Sequence, residues 1–396
     1  MVDGWMRHLV LHIQPMNQQE NNNRPKTSKV NLIKLSADVH KRDYKISRQI
    51  GDQNIQPTQV FKPEAAYDWA IKQLELAERV VFCYEAGFSG FSLARRLKLQ
   101  GVEPVVMCPQ KLDERCKRVN TDKRDSRAIA GRLDRFLAGN EEALVKVRIP
   151  SAQEEDERAI SRQRDQMMKG RKQFEAQGRS LLMFKGLACP GNWWRGSEAD
   201  WKETVQKQAW PAGVVELLEV YRRMALAAER EIAQLTLKIE KAAGENLPAS
   251  MPALPNGFGA LSMEILRREV CDWSRFENRG NVGSFFGICC AESSSGERQS
   301  QGSITKTGNP HVRRLLAEAA WAYQGIPRIG RQHAYRQEAL PKVVCDIAWK
   351  AQLRLTTRFR KLVARGKAKP KVATAIAREL TGFIWAIAQE VSPAAQ

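Results

Sequence analysis

Three things are scarce in this 396-residue sequence. It has eight cysteines and five histidines, but no C-x-x-C pair and no histidine clustered with a cysteine, so the spacing of a structural zinc site is missing. Cys83, Cys289 and Cys290 lie in apolar runs and read as small buried hydrophobes. No apolar run approaches the ~18 residues of a membrane span. The opening stretch, "MVDGWMRHLVLHIQPMNQQENNNRP", lacks the basic–apolar–small order of a secretory signal. Both absences predict a cytoplasmic, nucleoid-associated protein with no membrane partner. Acid is scarce against base: 44 Asp and Glu face 64 Lys and Arg, a net charge of +20. Such an excess favours a polyanionic partner, because each neutralised phosphate releases condensed counterions.

What is present divides into four stretches. Residues 1–30 are polar and Asn/Gln-rich and read as a disordered tail. Residues 31–150 open with "VNLIKLSA", "YKISRQI" and "TQVFKP", three short strands joined by polar turns. A helix started by Pro63, the strand "RVVFCY", the helix "FSLARRLKLQG" and the strand "VEPVVMC" follow. The resulting order βββαβαβ is that of the RNase H-like (RuvC-like) fold.

Residues 151–247 carry a different period. Ile160, Met167, Phe174 and Leu181 recur every seven residues, and Val214, Leu218, Tyr221, Ala225, Ala228, Ile232, Leu235 and Ile239 alternate steps of four and three. That is a heptad seam with charge outside it, expected to form an antiparallel helical hairpin or an oligomerisation arm. In the linking "CPGNWWRGSEADW", Trp193 and Trp194 could stack on bases, but adjacent tryptophans point in different directions, which favours a packed loop. Residues 248–396 read as a mainly helical C-terminal domain. Within it, "TKTGNPHVRRLL" supplies Asn309 as an N-cap, Pro310 at the first helical position, and Lys306, Arg313 and Arg314 around a helix start that favours phosphate. Between Cys345 and Leu380, ten basic residues face only Asp346 and Glu379, an electrostatic footprint for nucleic acid that includes Lys361, Arg365, Lys367, Lys369 and Lys371.

Against this basic background, "RVNTDKRDSRA" sets Asp122 and Asp125 three residues apart. One reading is a solvated helix face of alternating charge. The other is a pair of metal-ligating carboxylates joined by Asp38, after the first strand, and Glu85, after the fourth. Four acids at a sheet rim can hold two divalent ions for phosphoryl transfer, and Mg²⁺ suits an all-oxygen set. Lys117, Arg118, Lys123, Arg124 and Arg127 would then hold the phosphate backbone. Taken alone, Asp38 could instead start a hairpin turn with His40 and Asp43, and Glu85 could cap the helix after it.

"CYEAGFSGFSLARRL", "RVNTDKRDSRAIAGRL" and "GSITKTGNPHVRRLLAEAAW", with the helical hairpin between them, resemble the insertion-sequence transposases with a DEDD catalytic set, described as bridge-RNA-guided DNA recombinases. The resemblance runs from about Asn31 to the last residue. It implies Asp38, Glu85, Asp122 and Asp125 as the acids, with Ala37 standing where the family often has Ile or Val. It also implies a serine before a glycine in the C-terminal domain, which is Ser295 in "AESSSGERQ", with Ser294 the neighbouring register and Arg298 beside it. Cys290 occupies the place of the family's usual proline. Without the family, "SSSG" reads as a flexible polar loop. The activity implied is exchange of donor and target double-stranded DNA through a 5′-phosphoserine link, selected by a noncoding bridge RNA, in a dimer or tetramer. Two rivals stay open: a metal-dependent junction resolvase or nuclease with an idle serine, and a non-catalytic RNA-binding scaffold.

Overall fold

The computed structural model describes residues 29–109, 122–250, 255–295, 298–330, 334, 337 and 340–391, with the side chains of 122–125, 245–250 and 292–301 outside the description. The polar opening stretch, Lys117 and Arg118 therefore lie outside the described residues. The chain divides into two compact units, Met1–Ile149 and Pro150–Gln396.

In the first unit, β1 (Val30–Val39), β2 (Tyr44–Ile50) and β3 (Gln59–Phe61) form an antiparallel meander. β4 (Ala77–Glu85) and β5 (Glu103–Met107) then add in parallel, giving the order β3-β2-β1-β4-β5. Parallel neighbours require crossovers. Here these contain α1 (Pro63–Lys72) and α2 (Ser92–Leu99). α1 opens on Pro63, whose missing N–H is no loss at the first helical position. The βββαβαβ order matches the sequence expectation.

Period-two alternation sorts β1 between two faces. Ile33, Leu35 and Ala37 join Phe82, Tyr84, Ala66, Ala70, Leu93 and Leu97 in the core under α1 and α2. Leu32, Lys34, Ser36 and Asp38 take the other face. α3 (Asp122–Leu137) covers that face, packing Ile129 and Leu133 on Val81, Cys83, Val105 and Met107. Polar contacts fasten α3 as well. The buried Ser126 hydroxyl lies 3.1 Å from Ser47 Oγ and 3.2 Å from Thr58 Oγ1, and Lys34 Nζ donates to Asp134 Oδ1 at 2.5 Å.

Among its described residues the second unit is helical apart from one hairpin of strands. α4 (Ala152–Phe184) begins with a capping box from Ser151 and Glu154, a local reason for its start. It runs antiparallel to α6 (Ala212–Ser250): Leu182 clusters with Val214 and Leu218, while Ile160 clusters with Ile239 at the other end. The heptad seam faces into this hairpin, with Val214, Leu218, Ala225 and Ile239 buried and Tyr221, Ala228, Ile232 and Leu235 half-buried. α5 (Glu198–Gln208) and the loops around it close the far end with Trp193, Trp194, Trp201 and Trp210. Trp193 and Trp194 are buried, as a packed loop requires. Gly178 is the seat for Trp193, since a Cβ there would overlap the indole. Indole N–H groups are satisfied by Glu175 O for Trp193 (3.2 Å) and Ala188 O for Trp210 (3.1 Å).

α7 (Ala260–Val270), α8 (Arg279–Phe286), α9 (Pro310–Ala320), α10 (Lys342–Ala364) and α11 (Lys369–Val391) share the largest core, built from Leu266, Phe286, Leu316, Leu355, Phe359 and Ile376 among others. The basic stretch 345–380 is thus integral to the fold. α10 and α11 each bury one face and meet at a turn where Gly366 has φ 75°. β6 (Cys290–Ser295) and β7 (Arg298–Ile304) pair antiparallel between α8 and α9 in sequence. Cys83 is buried as expected, whereas Cys289 and Cys290 are only half-buried, because Cys290 already starts the two-stranded hairpin. Among the described residues, no helix is long and apolar enough to cross a membrane.

Candidate active site

In the first unit the parallel register of β1 and β4 pairs Ala37 with Tyr84, so Asp38 and Glu85 are the next pair outward. Neighbouring strands lie about 4.8 Å apart. The two acids therefore stand side by side at the carboxyl ends of adjacent parallel strands, on the face that α3 covers. Asp38 remains within β1, paired with Lys45, and its Oδ2 lies 3.0 Å from His40 Nε2, so the hairpin-turn contact is present as well. Glu85 ends β4 and does not cap α2, whose N-cap position is Phe91. Cys83, one alternation inward from Glu85, has its thiol pKa pushed up to about 12 by burial and then by the Glu85 charge. It is an inert part of the floor.

Asp122 and Asp125 occupy the first turn of α3, and their side chains lie outside the described residues, as do those of Lys123 and Arg124. The backbone nonetheless sets their stripe. They stand seven and four residues before Ile129, on the line that continues through the sheet-facing Ile129 and Leu133. Ser126, within that first turn, touches Ser47, whose partner across the β1–β2 ladder is Ser36, two residues from Asp38. The acidic turn of α3 is thereby tied to the end of the sheet that carries Asp38. Among the described residues no group of three or more His, Cys, Asp or Glu side chains gathers within metal-binding reach.

In the second unit, Ser295 is the last laddered residue of β6, opposite Arg298, and the side chains of Ser294, Ser295 and Arg298 are outside the described ones. Backbone pairing of the three serines takes the place of the flexible polar loop expected there. The hairpin returns into the "KTGNP" turn, which is locked to the end of α8 backbone against backbone. Lys306 N donates to Gly287 O (3.0 Å) and Asn309 N to Phe285 O (2.8 Å), with Lys306 held at φ 58°. Asn309 caps α9 through Oδ1, accepting from His311 N (3.0 Å) and Val312 N (3.3 Å), and Pro310 takes the first helical position. Both features agree with the sequence reading.

The arginines of this turn have protein partners. Arg313 Nη1 donates to Phe286 O and Gly308 O at 3.0 and 3.3 Å, and Arg314 Nη2 to Asp165 Oδ1 at 2.5 Å. Asp165, on α4 and buried, also meets His311 Nδ1 at 2.7 Å. Burial opposes its charge, but the contacts from His311 and Arg314 prevail and hold its pKa below the ordinary carboxylate value. Buried Glu269 receives Arg162 at 3.0 and 2.9 Å and Asn309 Nδ2 at 2.8 Å, while Glu264 receives Arg267 and Arg268. This belt joins α4, α7 and the start of α9. Sequence reasoning missed it, because Asp165, Glu264 and Glu269 look like any surface acids on amphipathic helices.

The "Transposase IS116/IS110/IS902 family" description matches residues 255–335, the segment containing α7, α8, the β6–β7 hairpin and α9. Over 336 residues the chain is 35% identical to y4qE of Sinorhizobium fredii, a candidate transposase, covering 84% of this chain and 81% of that one. The chain belongs to the IS116/IS110/IS902 transposase family. It is also 24% identical over 347 residues to the transposase for insertion sequence element IS1533 of Leptospira borgpetersenii, spanning 85% of this chain and 98% of the relative. A second Sinorhizobium fredii protein, the candidate transposase y4rJ, is 26% identical over 260 residues, 60% of this chain and 64% of its own. The family-wide segment thus includes the Gly287–Gly308 junction and the serine hairpin it carries.

Proposed function

We propose that this insertion-sequence transposase exchanges donor and target DNA strands through Ser295, assisted by Asp38, Glu85, Asp122 and Asp125. The observation that carries the reading is the side-by-side placement of Asp38 and Glu85 at adjacent strand ends, beneath the helix bearing Asp122 and Asp125. The β3-β2-β1-β4-β5 order with one meander and two parallel crossovers supports an RNase H-like assignment. An all-carboxylate donor set on one face fits a hard cation, and the four acids would hold Mg²⁺. When bound, a pair of such ions supplies charge stabilisation at phosphate oxygens.

Ser295 Oγ attacks a DNA phosphorus, forming the Oγ–P bond as the P–O3′ bond breaks. The hydroxyl proton ends on the departing 3′ oxygen. The 5′-phosphoserine keeps the phosphoester for rejoining, which release by water would forfeit. Strand choice by a noncoding bridge RNA, and composite sites built by a homo-dimer or tetramer, complete the proposal. The excess of positive charge suits an assembly that must hold several nucleic-acid strands.

A denaturing gel of the full chain with labelled donor and target DNA, RNA and Mg²⁺ tests it. A labelled band whose peptide contains Ser295, absent from Ser295→Ala, is expected. Cleavage by Ser295→Ala with no labelled peptide in the parent would overturn the serine step in favour of a water-attacking nuclease.

A further inference from the structure

α10 bears a charge pattern that the acids and the serine leave unexplained. Lys350, Arg354, Arg358, Lys361 and Arg365 recur at steps of four, four, three and four, which keeps the first four on one helix face and sets Arg365, the C-cap residue, at the end of the same row. All are exposed. The row is about 22 Å long at 1.5 Å per residue. Behind it stands Glu379 of α11. Arg354 Nε contacts its Oε1, and Arg358 Nε lies 3.1 Å from its Oε2. The Glu379 side chain is 19% exposed, whereas the two arginine side chains keep 59% and 49%. One half-sheltered carboxylate therefore holds two guanidiniums side by side with their outer edges toward solvent, at the cost of one of five positive charges.

A second row runs beside the first. Trp349, Leu353 and Thr357 follow at steps of four, and Trp349 and Leu353 are 39% and 44% exposed. Leu353 and Thr357 share with the basic row an open groove of about 610 Å³. Phosphate recognition alone requires only the cations and would serve duplex and single strand equally. An exposed indole and leucine next to the cations add something a duplex cannot use, since its bases are stacked away. Unpaired bases have free faces, and proteins that hold them combine a basic track with aromatic platforms.

We propose that this face of α10 binds a single-stranded nucleic-acid segment, with phosphates along Lys350–Arg365 and bases against Trp349 and Leu353. The proposal takes its polymer class from the functional reading above, but it needs neither strand cleavage nor the acids.

The test is fluorescence anisotropy of the full chain with a labelled oligonucleotide of about 20 thymidines and with a duplex of matched length, over a range of salt and without divalent ions. The triple variant Arg354→Gln, Arg358→Gln, Lys361→Gln is expected to lower the slope of log affinity against log salt by about 2, at about 0.7 per lost contact to a single strand. Trp349→Ala should weaken single-strand binding about tenfold or more, leave duplex binding unchanged and keep the parent's circular dichroism, with Trp349→Phe restoring most of the loss. If Asp125→Asn still cleaved DNA, the catalytic reading would fail while this one stood. A parental slope in the triple variant, or equal weakening of both probes by Trp349→Ala, would overturn the single-strand assignment.

Discussion

Gly287 and Gly308 pack backbone to backbone, so that a Cβ added to either would overlap the other's peptide nitrogen. Gly287 also sits at φ 63°, where a side chain costs roughly 1 kcal/mol or more. Gly308→Ala would meet the Phe285 carbonyl as well and must push the turn off α8. We expect it to cost about 1–3 kcal/mol in urea-unfolding stability and to abolish recombination, because the hairpin bearing Ser295 springs from this junction. Parental stability and activity would show that the turn adapts.

Ser126→Ala tests the fastening of α3. It removes one of three mutually bonded hydroxyls while Ser47 and Thr58 remain paired at 2.9 Å. The expected loss is about 1 kcal/mol in stability, with a larger effect on the Mg²⁺ concentration needed for half-maximal cleavage. Ser126→Thr should recover part of it. An unchanged Mg²⁺ requirement would mean the acidic turn is placed by other contacts.

Asp125→Asn keeps the shape of the side chain but loses its charge. DNA cleavage should vanish, while stability measured by thermal melting stays within a degree or two. Full cleavage would return Asp122 and Asp125 to a solvated helix face.

The Asp165 belt predicts acid sensitivity. Its folded pKa lies below the unfolded value of about 3.9, as does that of Glu264 relative to its own ordinary value, where burial opposes and Arg267 and Arg268 prevail. The stabilisation is therefore present in full above the unfolded values and is lost as pH falls through the folded ones. Asp165→Asn removes the nearer of Arg314's two carboxylate partners, leaving Glu318 at 4.0 Å, and because Arg314 keeps 35% of its side chain exposed the cost should be about 1–2 kcal/mol at pH 7. The difference from the parent should shrink towards pH 3 in denaturant titrations. A pH-independent difference would assign the loss to packing.

The proposed homo-oligomer needs an uncommitted surface, since the heptad seam is used inside the hairpin. Leu217, Val220 and Met224 of α6 are exposed in one stripe. Replacing all three with Glu should leave the helical content unchanged and lower the mass seen by light scattering. An unchanged mass would move the interface elsewhere.

Much of the first unit was legible because strand alternation and helix caps are local. "VNLIKLSADV" declares its two faces at period two, and Pro63 declares a helix start. The adjacency of Asp38 and Glu85 follows from register, which no short stretch specifies. The second unit was harder. Heptads announced two long helices but could not say that their seam closes on itself, nor that Asp165 turns inward to meet His311, 146 residues away. The charge count over the basic stretch after Cys345 conceals the apolar face that α10 and α11 bury. The three serines became part of a strand because pairing with β7 overrides their weak local preference.

The helical pair also acts as a ruler. Its base is clamped at Ile160, Ile239, Ile265 and Leu315, and its tip is knotted by four tryptophans next to Leu182. From Ile160 to Leu182 is 22 residues, about 33 Å of helix. Because the knot has its own core, it can travel as a block. A seven-residue insertion into both helices would carry it about 10 Å outward with its facing nearly preserved, whereas the same insertion into one helix would set seam against solvent. Length along this arm is thus a variable that paired insertions could change while the clamp and knot stay as they are, and unpaired ones could not.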